Sequence, residues 1–237
     1  MSNVRDAAMN YGKLYDNYSS DLGSIIYQKK NDSISINITN KCPNQCPFCI
    51  RDIRRGWSEK ESLYLQREPT INDIKIAFDN YIRDSDVVLS DIRFVNMCGY
   101  GEPLMRFDDL PEITSVLRGI VGENATFMLT TSGWPYKLLG SNRYDLLKKL
   151  LSNGLGVVKV SIHSSSNEQF LKRFRPIIEG VSFDDTINFI KVCQDIGFEV
   201  IGCFFDSMNS EYEIRSLCSE LGIKSDIKLL DRENHRL

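Results

Sequence analysis

Six short segments with strand-like hydrophobic patterns recur along the chain, and helical patterns separate them. The first, SISINIT at residues 33–39, alternates Ile34, Ile36 and Ile38 with polar neighbours, which is the period of a half-buried strand. The other predicted strands are residues 91–98, 125–133, 157–163, 199–206 and 225–231.

The segments between the strands have the longer period of helices. In TINDIKIAFDNYIRD (70–84), Thr70 is the predicted N-cap, and five apolar side chains fall roughly on one face. Those five are Ile71, Ile74, Ala77, Phe78 and Ile82. Further helices are predicted at residues 110–121, 144–154, 183–197 and 210–222.

Strands that alternate with helices favour a parallel sheet joined by βαβ crossovers. Six such units predict an α/β fold, a partial (β/α)6 TIM-like barrel that forms one domain over residues 33–237. Residues 1–32 form an N-terminal extension in this interpretation. Functional residues are expected at the carboxyl ends of the strands.

Composition restricts the kinds of partner. Apolar residues make up 42% of the 237 positions, enough for a substantial core, and the net charge of −3 argues against a nucleic-acid partner. The N-terminus has no apolar signal region, and no stretch approaches the roughly 18 apolar residues of a membrane span. We therefore expect a cytoplasmic protein without membrane contact.

Three of the seven cysteines fall within eight positions, at Cys42, Cys46 and Cys49, directly after the first strand. Thiolates select zinc, copper(I) and iron–sulfur clusters. A zinc site would need a fourth ligand, and the two histidines are the available imidazoles. An iron–sulfur cubane held by three cysteines would instead leave one iron open, as a catalytic metal requires.

The spacing C-x3-C-x-aromatic-C, with Phe48 as the aromatic residue, resembles the signature of the radical S-adenosylmethionine (radical SAM) superfamily. The resemblance implies an enzyme with one 4Fe–4S cluster on the three cysteines. SAM would chelate the fourth iron, and one electron would cleave it to methionine and a 5′-deoxyadenosyl radical. That radical would abstract hydrogen from a substrate, small molecule or protein, that the sequence does not identify.

Three later segments resemble SAM-binding motifs of the same family. GYGEPL (99–104) corresponds to a GGEP turn that binds the methionine amino group, although Tyr100 replaces a glycine. TTSG (130–133) and VSIH (160–163) follow the next two strands, and Arg175 is the expected partner of the SAM carboxylate. Arg173 is expected to be solvated. The implied cofactor-binding residues are Phe48, Tyr100, Gly101, Glu102, Pro103, Thr131, Ser132, Ser161, His163 and Arg175.

A narrower resemblance is to short radical SAM proteins encoded beside TatD-type nucleases. It rests on SISINITNKCPNQCPFCIR (33–51), LYLQREPT (63–70) and MCGYGEPL (97–104), and it covers roughly residues 33–230. WPYKLLGSNRYD (134–145) looks like an insertion.

The remaining cysteines form no second knuckle, so one cluster is expected. Cys193 and Cys218 are predicted core residues, whereas Cys98 and Cys203, on strands near the site, are weak candidates for a hydrogen-atom donor. An electron donor of the flavodoxin or ferredoxin type is implied, and Arg51, Arg54 and Arg55 could receive it or an anionic substrate. The alternatives are a glycyl-radical-enzyme activase and a zinc-stabilised binding protein without catalysis.

Overall fold

A computed structural model describes residues 17–20, 22–30, 32–49, 63–85 and 87–228. Arg51, Arg54 and Arg55 lie outside these ranges. The strands are β1 (Asn17–Ser20), β2 (Gly23–Lys30), β3 (Ser33–Ile36), β4 (Phe94–Met97), β5 (Thr126–Thr131), β6 (Leu155–Ser161), β7 (Glu199–Phe205) and β8 (Lys224–Lys228). The α-helices are α1 (Ile71–Asp84), α2 (Leu110–Val121), α3 (Arg143–Ser152), α4 (Asn167–Phe174), α5 (Phe183–Ile196) and α6 (Glu211–Leu221).

The strands form one sheet in the order of the sequence, from β1 to β8. The six strands from β3 to β8 are parallel and correspond to the six predicted ones, which confirms the α/β partial-barrel prediction. β1 and β2 pair antiparallel at the β3 edge, within the segment interpreted as an extension. Ile25 and Ile26 of β2 are fully buried in the main core.

The helix boundaries follow local capping chemistry. Thr70 caps α1 as predicted, because its hydroxyl accepts from the Asp73 backbone and the Asp73 carboxylate accepts from the Thr70 backbone. Equivalent capping boxes begin α5 and α6. The sequence pattern did not reveal α4 or the 3₁₀ turns at Pro103–Asp109 and Trp134–Leu138. All three lie near the carboxyl ends of strands.

The two faces of the parallel sheet differ in chemistry. One face carries apolar side chains, such as Leu129, Val158 and Phe204, in the main hydrophobic core. Side chains alternate between the two faces along each strand, and paired residues on neighbouring parallel strands point to the same face. The strand register therefore shows which side chains lie on the opposite face. We call its side chains Asn96, Thr130, Lys159, Cys203 and Asp226 the polar face.

None of the described helices is both long and apolar enough to cross a bilayer.

Candidate functional site

The cysteine loop is the chain from residue 37 to 49, which leaves the carboxyl end of β3. Asn44, between the first two cysteines, fixes it to the segment after β5. The Asn44 side chain donates to the Ser132 hydroxyl over 3.2 Å and accepts from the Trp134 indole N–H over 2.8 Å. All three residues are buried, so the loop is joined to the β5 end by a satisfied polar network.

The far side of the same loop is bound to the end of α4. The backbone N–H of Gln45 donates to the Phe174 carbonyl over 2.9 Å, and that of Ile177 donates to the Pro43 carbonyl over 3.0 Å. The Cys46 thiol also lies 3.6 Å from the Phe174 oxygen. α4, which was not predicted, therefore supports the loop that carries the three thiols.

The GYGEP turn after β4 packs directly on the backbone of the cysteine loop. A Cβ atom on Gly101 would lie 2.5 Å from the carbonyl oxygens of both Thr39 and Lys41. The Glu102 N–H donates to the Lys41 oxygen over 2.8 Å. Glycine is required at position 101 because the two backbones approach too closely for any side chain.

Tyr100 occupies the position where the family motif usually has a glycine. Its backbone N–H donates to the Asn37 side chain over 3.0 Å, and its ring lies edge-on to Tyr64 with centroids 5.6 Å apart. The larger residue is therefore accommodated beside residues of the LYLQREPT segment. Asn37, which sequence reasoning missed, organises this corner: its amide also donates to the carbonyls of Ser24 and Leu63.

Glu102 is a buried carboxyl that joins the GYGEP turn to the TTSG segment. Its oxygens accept from the Thr131 hydroxyl over 2.6 Å and from the Leu104 N–H over 3.1 Å. They also accept from both the N–H and the hydroxyl of Ser132, each over 2.8 Å. Burial raises the pKa of Glu102, and these hydrogen bonds oppose the rise without cancelling it.

Phe48 lies in an aromatic cluster at the carboxyl ends of β6 and β7. Its ring contacts His163, Phe174 and Phe205 edge-on, at centroid distances of 5.4, 6.2 and 5.6 Å. His163 in turn stacks on Phe205 at 4.3 Å, with the planes 8° apart. The predicted site residues Phe48 and His163 are thus in direct contact.

His163 has two unusual features. Its φ of 43° lies in the left-handed region, which is uncommon for a residue other than glycine. The ring is buried, and burial, together with the nearby charges of Lys228 and Arg173, lowers its pKa to about 3. The imidazole is therefore neutral at physiological pH.

Three buried polar atoms near this cluster have no hydrogen-bond partner among the described residues. They are Nδ1 of His163 and the hydroxyls of Ser164 and Ser207. Buried polar atoms are nearly always satisfied, and an exception at the carboxyl ends of neighbouring strands is consistent with a polar ligand. Ser161, the last residue of β6, pairs with Cys203 on the same edge of the sheet.

Arg173 lies in the last turn of α4, and Arg175 follows that helix. Arg175 ends α4 in a left-handed conformation and has an exposed side chain, whose Nε donates to the Lys172 carbonyl. Arg173 was expected to be solvated, and that expectation is wrong. Its guanidinium binds the His163 and Met208 carbonyls, which fixes the turn after β6.

Cys98 and Cys203 lie on or beside the polar face. The Cys98 sulfur lies 3.0 Å from the Tyr27 hydroxyl and 3.2 Å from the Asn96 amide nitrogen. The Cys203 sulfur lies 4.0 Å from Asp226, which forms an ion pair with Lys159 over 2.5 Å. Burial is the largest influence on Lys159 and lowers its pKa, but the hydrogen bond to Asp226 and the electrostatic attraction of Asp226 and the nearby thiols together outweigh it, so the pKa is raised overall.

Cys193 and Cys218 are buried in α5 and α6 and contribute to the main core, as predicted. Burial raises the pKa of both thiols. Such thiols behave as small apolar side chains.

The thiols of Cys42, Cys46 and Cys49 are the predicted ligands of a metal group. In the described ranges, no three or more His, Cys, Asp or Glu side chains are grouped so as to hold a metal ion. The donor set itself fits an iron–sulfur cluster, because soft thiolates from one loop are its usual ligands. The GYGEP backbone and the unsatisfied polar atoms beside Phe48 fit a polar ligand at the same end of the sheet.

The parallel strands of the partial barrel thus carry a thiol-bearing loop at their carboxyl ends. Residues 36–209 match the family model described as the radical SAM superfamily, and the chain belongs to that superfamily. Members use a 4Fe–4S cluster and SAM, so the enzyme and cofactor predictions are confirmed at this level.

Curated relatives include a probable GTP 3′,8-cyclase of Saccharolobus islandicus, which is 29% identical over 205 residues. That alignment covers 84% of this chain and 56% of the relative. A protein with the same description from Saccharolobus solfataricus is 28% identical. The chain thus spans little more than half the length of these relatives.

Solved structures support the fold. Methylornithine synthase (PylB) superposes with a TM-score of 0.57 at 15% identity, covering 84% of this chain and 53% of that one. SuiB of Streptococcus suis, solved with SAM bound, gives a TM-score of 0.56 at 16% identity, covering 96% and 44%.

Proposed function

We propose that Cys42, Cys46 and Cys49 hold one 4Fe–4S cluster and that the ends of β3 to β7 hold SAM. When bound, the cluster supplies the electron that cleaves SAM to methionine and a 5′-deoxyadenosyl radical. The observation that carries this proposal is that hydrogen bonds join the cysteine loop to both the GYGEP turn and the TTSG segment. The cysteine loop binds the GYGEP turn through Lys41 and Glu102, and it binds the TTSG segment through Asn44 and Ser132.

Each cofactor residue has a proposed task. The backbone of Tyr100 to Pro103 would receive the methionine amino group. The Glu102 carboxyl already accepts from four donors, which favours a role in positioning the turn. Thr131, Ser132 and Ser161 would face the ribose or the carboxylate, and Phe48 with His163 would border the adenine. The exposure of Arg175 gives no support to its predicted contact with the SAM carboxylate.

We propose that the substrate lies against the polar face. The interior of a parallel barrel is usually filled by branched apolar side chains. Here Lys159 and Asp226 form an ion pair, and Thr130 donates to Asn96 over 3.0 Å. Such groups suit a small, polar substrate. Cys98 and Cys203, at the same face, are the candidates for returning a hydrogen atom to the substrate.

The finer family assignment and the substrate are also proposals. MCGYGEPL and LYLQREPT support membership of the TatD-associated group. The relatives described as GTP 3′,8-cyclases make GTP a substrate to test. A flavodoxin or ferredoxin is proposed as the electron donor.

The decisive experiment is anaerobic reconstitution with iron and sulfide, followed by dithionite and SAM. We expect a brown protein that produces 5′-deoxyadenosine, and we expect Cys46→Ala to lose both properties. Cys218→Ala, which removes a core thiol of α6 that lies outside the cysteine loop, is the matched control and should keep both. Adding GTP tests whether it accelerates SAM cleavage and is consumed.

Two other outcomes would redirect the assignment. Stoichiometric zinc, with no chromophore and no SAM cleavage, would indicate a zinc-stabilised binding protein. SAM cleavage that depends on a large glycyl-radical enzyme, and that leaves a radical on it, would indicate an activase.

A further inference from the structure

A small exposed surface lies immediately behind the cysteine loop. Leu171, Ile177 and Ile178 are 44%, 59% and 37% exposed, which is unusual for large apolar side chains so close together in the sequence. Lys172 and Arg175, between them in the chain, are also exposed. We call these five residues the 171–178 surface.

Backbone hydrogen bonds connect this surface to the thiol-bearing loop. The N–H of Ile177 donates to the carbonyl of Pro43, the residue after Cys42. The Phe174 carbonyl accepts from Gln45 N–H over 2.9 Å and lies 3.6 Å from the Cys46 sulfur. The segment that carries the exposed side chains is therefore in direct contact with the cysteine loop, and Phe174 within it contacts the thiol of a proposed cluster ligand.

The charge of the surface selects the kind of partner. The whole chain has a net charge of −3 and would repel an acidic protein unless a local cationic region attracted it. Lys172 and Arg175 form no ion pair within the described residues. Glu168 and Glu179 lie at the two ends of the segment. Within residues 171–178 the exposed charged side chains are therefore both cationic, and the two glutamates lie outside that stretch of the chain.

An apolar centre with a charged rim is the usual composition of a transient protein interface. Redox encounters between proteins bury little area and depend on charge complementarity for speed. We propose that the 171–178 surface docks a small acidic one-electron carrier protein, of the flavodoxin or ferredoxin class, that reduces the cluster. This inference rests on the proposed function, which requires a reductant at the loop.

The test compares two sources of electrons. Reconstituted protein is given SAM with either dithionite, which needs no docking, or reduced flavodoxin. Ile177→Glu places a negative charge in the apolar centre, and Lys172→Glu reverses the charge of the rim. We expect each to lower the flavodoxin-driven rate of 5′-deoxyadenosine formation on the order of tenfold. The dithionite-driven rate should stay unchanged.

Matched controls make the same changes elsewhere. Val88→Glu replaces another exposed apolar side chain, 57% exposed, and Lys191→Glu reverses another exposed lysine, on α5. Both should keep the flavodoxin-driven rate. A titration of oxidised flavodoxin gives a second readout without turnover, and the Kd should rise about tenfold in the two surface variants. Added salt should weaken the wild-type complex.

The outcomes separate the two proposals. If the wild type cleaves SAM with dithionite while both surface variants keep the wild-type flavodoxin rate and Kd, the docking surface is wrong and the proposed function stands. If the wild type fails with dithionite, the proposed function itself is wrong.

Discussion

Ser132 binds the Glu102 carboxylate twice: its backbone N–H and its hydroxyl both donate to Oε2 over 2.8 Å. This pair joins the turn after β4 to the end of β5. Because the Ser132 hydroxyl also accepts from Asn44, the same network reaches the cysteine loop. The position of the cysteine loop thus depends in part on the Glu102 carboxyl group.

Removing the Glu102 carboxyl should therefore be costly. In Glu102→Ala, four buried donors lose their acceptor, and we expect the free energy of unfolding to fall on the order of 4 kcal/mol. Glu102→Gln keeps one oxygen acceptor and should lose about half as much. Urea denaturation of the protein before cluster loading measures both. Equal losses in the two variants would show that hydrogen bonding is not the cause.

Gly101 should tolerate no side chain. In Gly101→Ala, the added methyl would meet two carbonyl oxygens at 2.5 Å, so either the GYGEP turn or the cysteine loop must move. We expect a loss of about 2 kcal/mol in stability and a lower iron content after reconstitution. Iron analysis and denaturation measure the two effects.

The control is a glycine of the same chain with open surroundings. A Cβ on Gly119, inside α2, would meet no atom within 4 Å. Gly119→Ala should therefore stabilise the protein by about 0.5–1 kcal/mol and leave iron binding unchanged. A similar loss in both variants would contradict the steric explanation.

Much of this architecture could be predicted because it depends on local patterns. The six parallel strands and the N-cap at Thr70 follow from short-range periodicity and spacing. The environments of Arg173 and Trp134 could not be predicted, because they depend on contacts between remote segments. Trp134 begins a segment that looked like an insertion, yet it is fully buried against the cysteine loop.

The position of β2 in the sheet also could not be predicted from local sequence. Its residues GSIIYQKK have a strand-like centre, but the pairing with β3 is a tertiary choice. Asn37 then uses the Ser24 carbonyl of β2 to organise the corner beneath the GYGEP turn. A single asparagine after a predicted strand carries no sequence signal for such a role.

Asn44 should control the order of the cysteine loop more than overall stability. In Asn44→Ala, the buried Trp134 N–H loses its acceptor, which costs about 1–3 kcal/mol. The loop also loses its anchor to Ser132, so we expect reduced iron incorporation. Asn153→Ala is the control, because it removes a comparable bond, 2.7 Å to the Pro111 carbonyl, far along the chain from the loop. Iron loss in both variants would assign the effect to general destabilisation.

His163 should make stability fall in mild acid. In the folded protein, burial is the main reason that the pKa of His163 is lowered from its ordinary value of 6.5 to about 3. Between those values the unfolded chain binds a proton that the folded chain does not, so the free energy of unfolding decreases as the pH falls. Below pH 6.5 the loss approaches 1.4 kcal/mol per pH unit, which gives about 2 kcal/mol between pH 7 and pH 5.

Denaturation of wild type and His163→Asn at several pH values measures this effect. Asparagine does not titrate, and it tolerates the positive φ of 43° at this position. We expect the His163→Asn variant to be less stable than the wild type at pH 7, because it loses the stacking of the imidazole on Phe205. The difference between their free energies of unfolding should shrink by about 2 kcal/mol from pH 7 to pH 5. Only the wild type must release a proton from this ring when it folds. Parallel stability curves would contradict the prediction, because they would show that the imidazole has the same pKa in the folded and the unfolded chain.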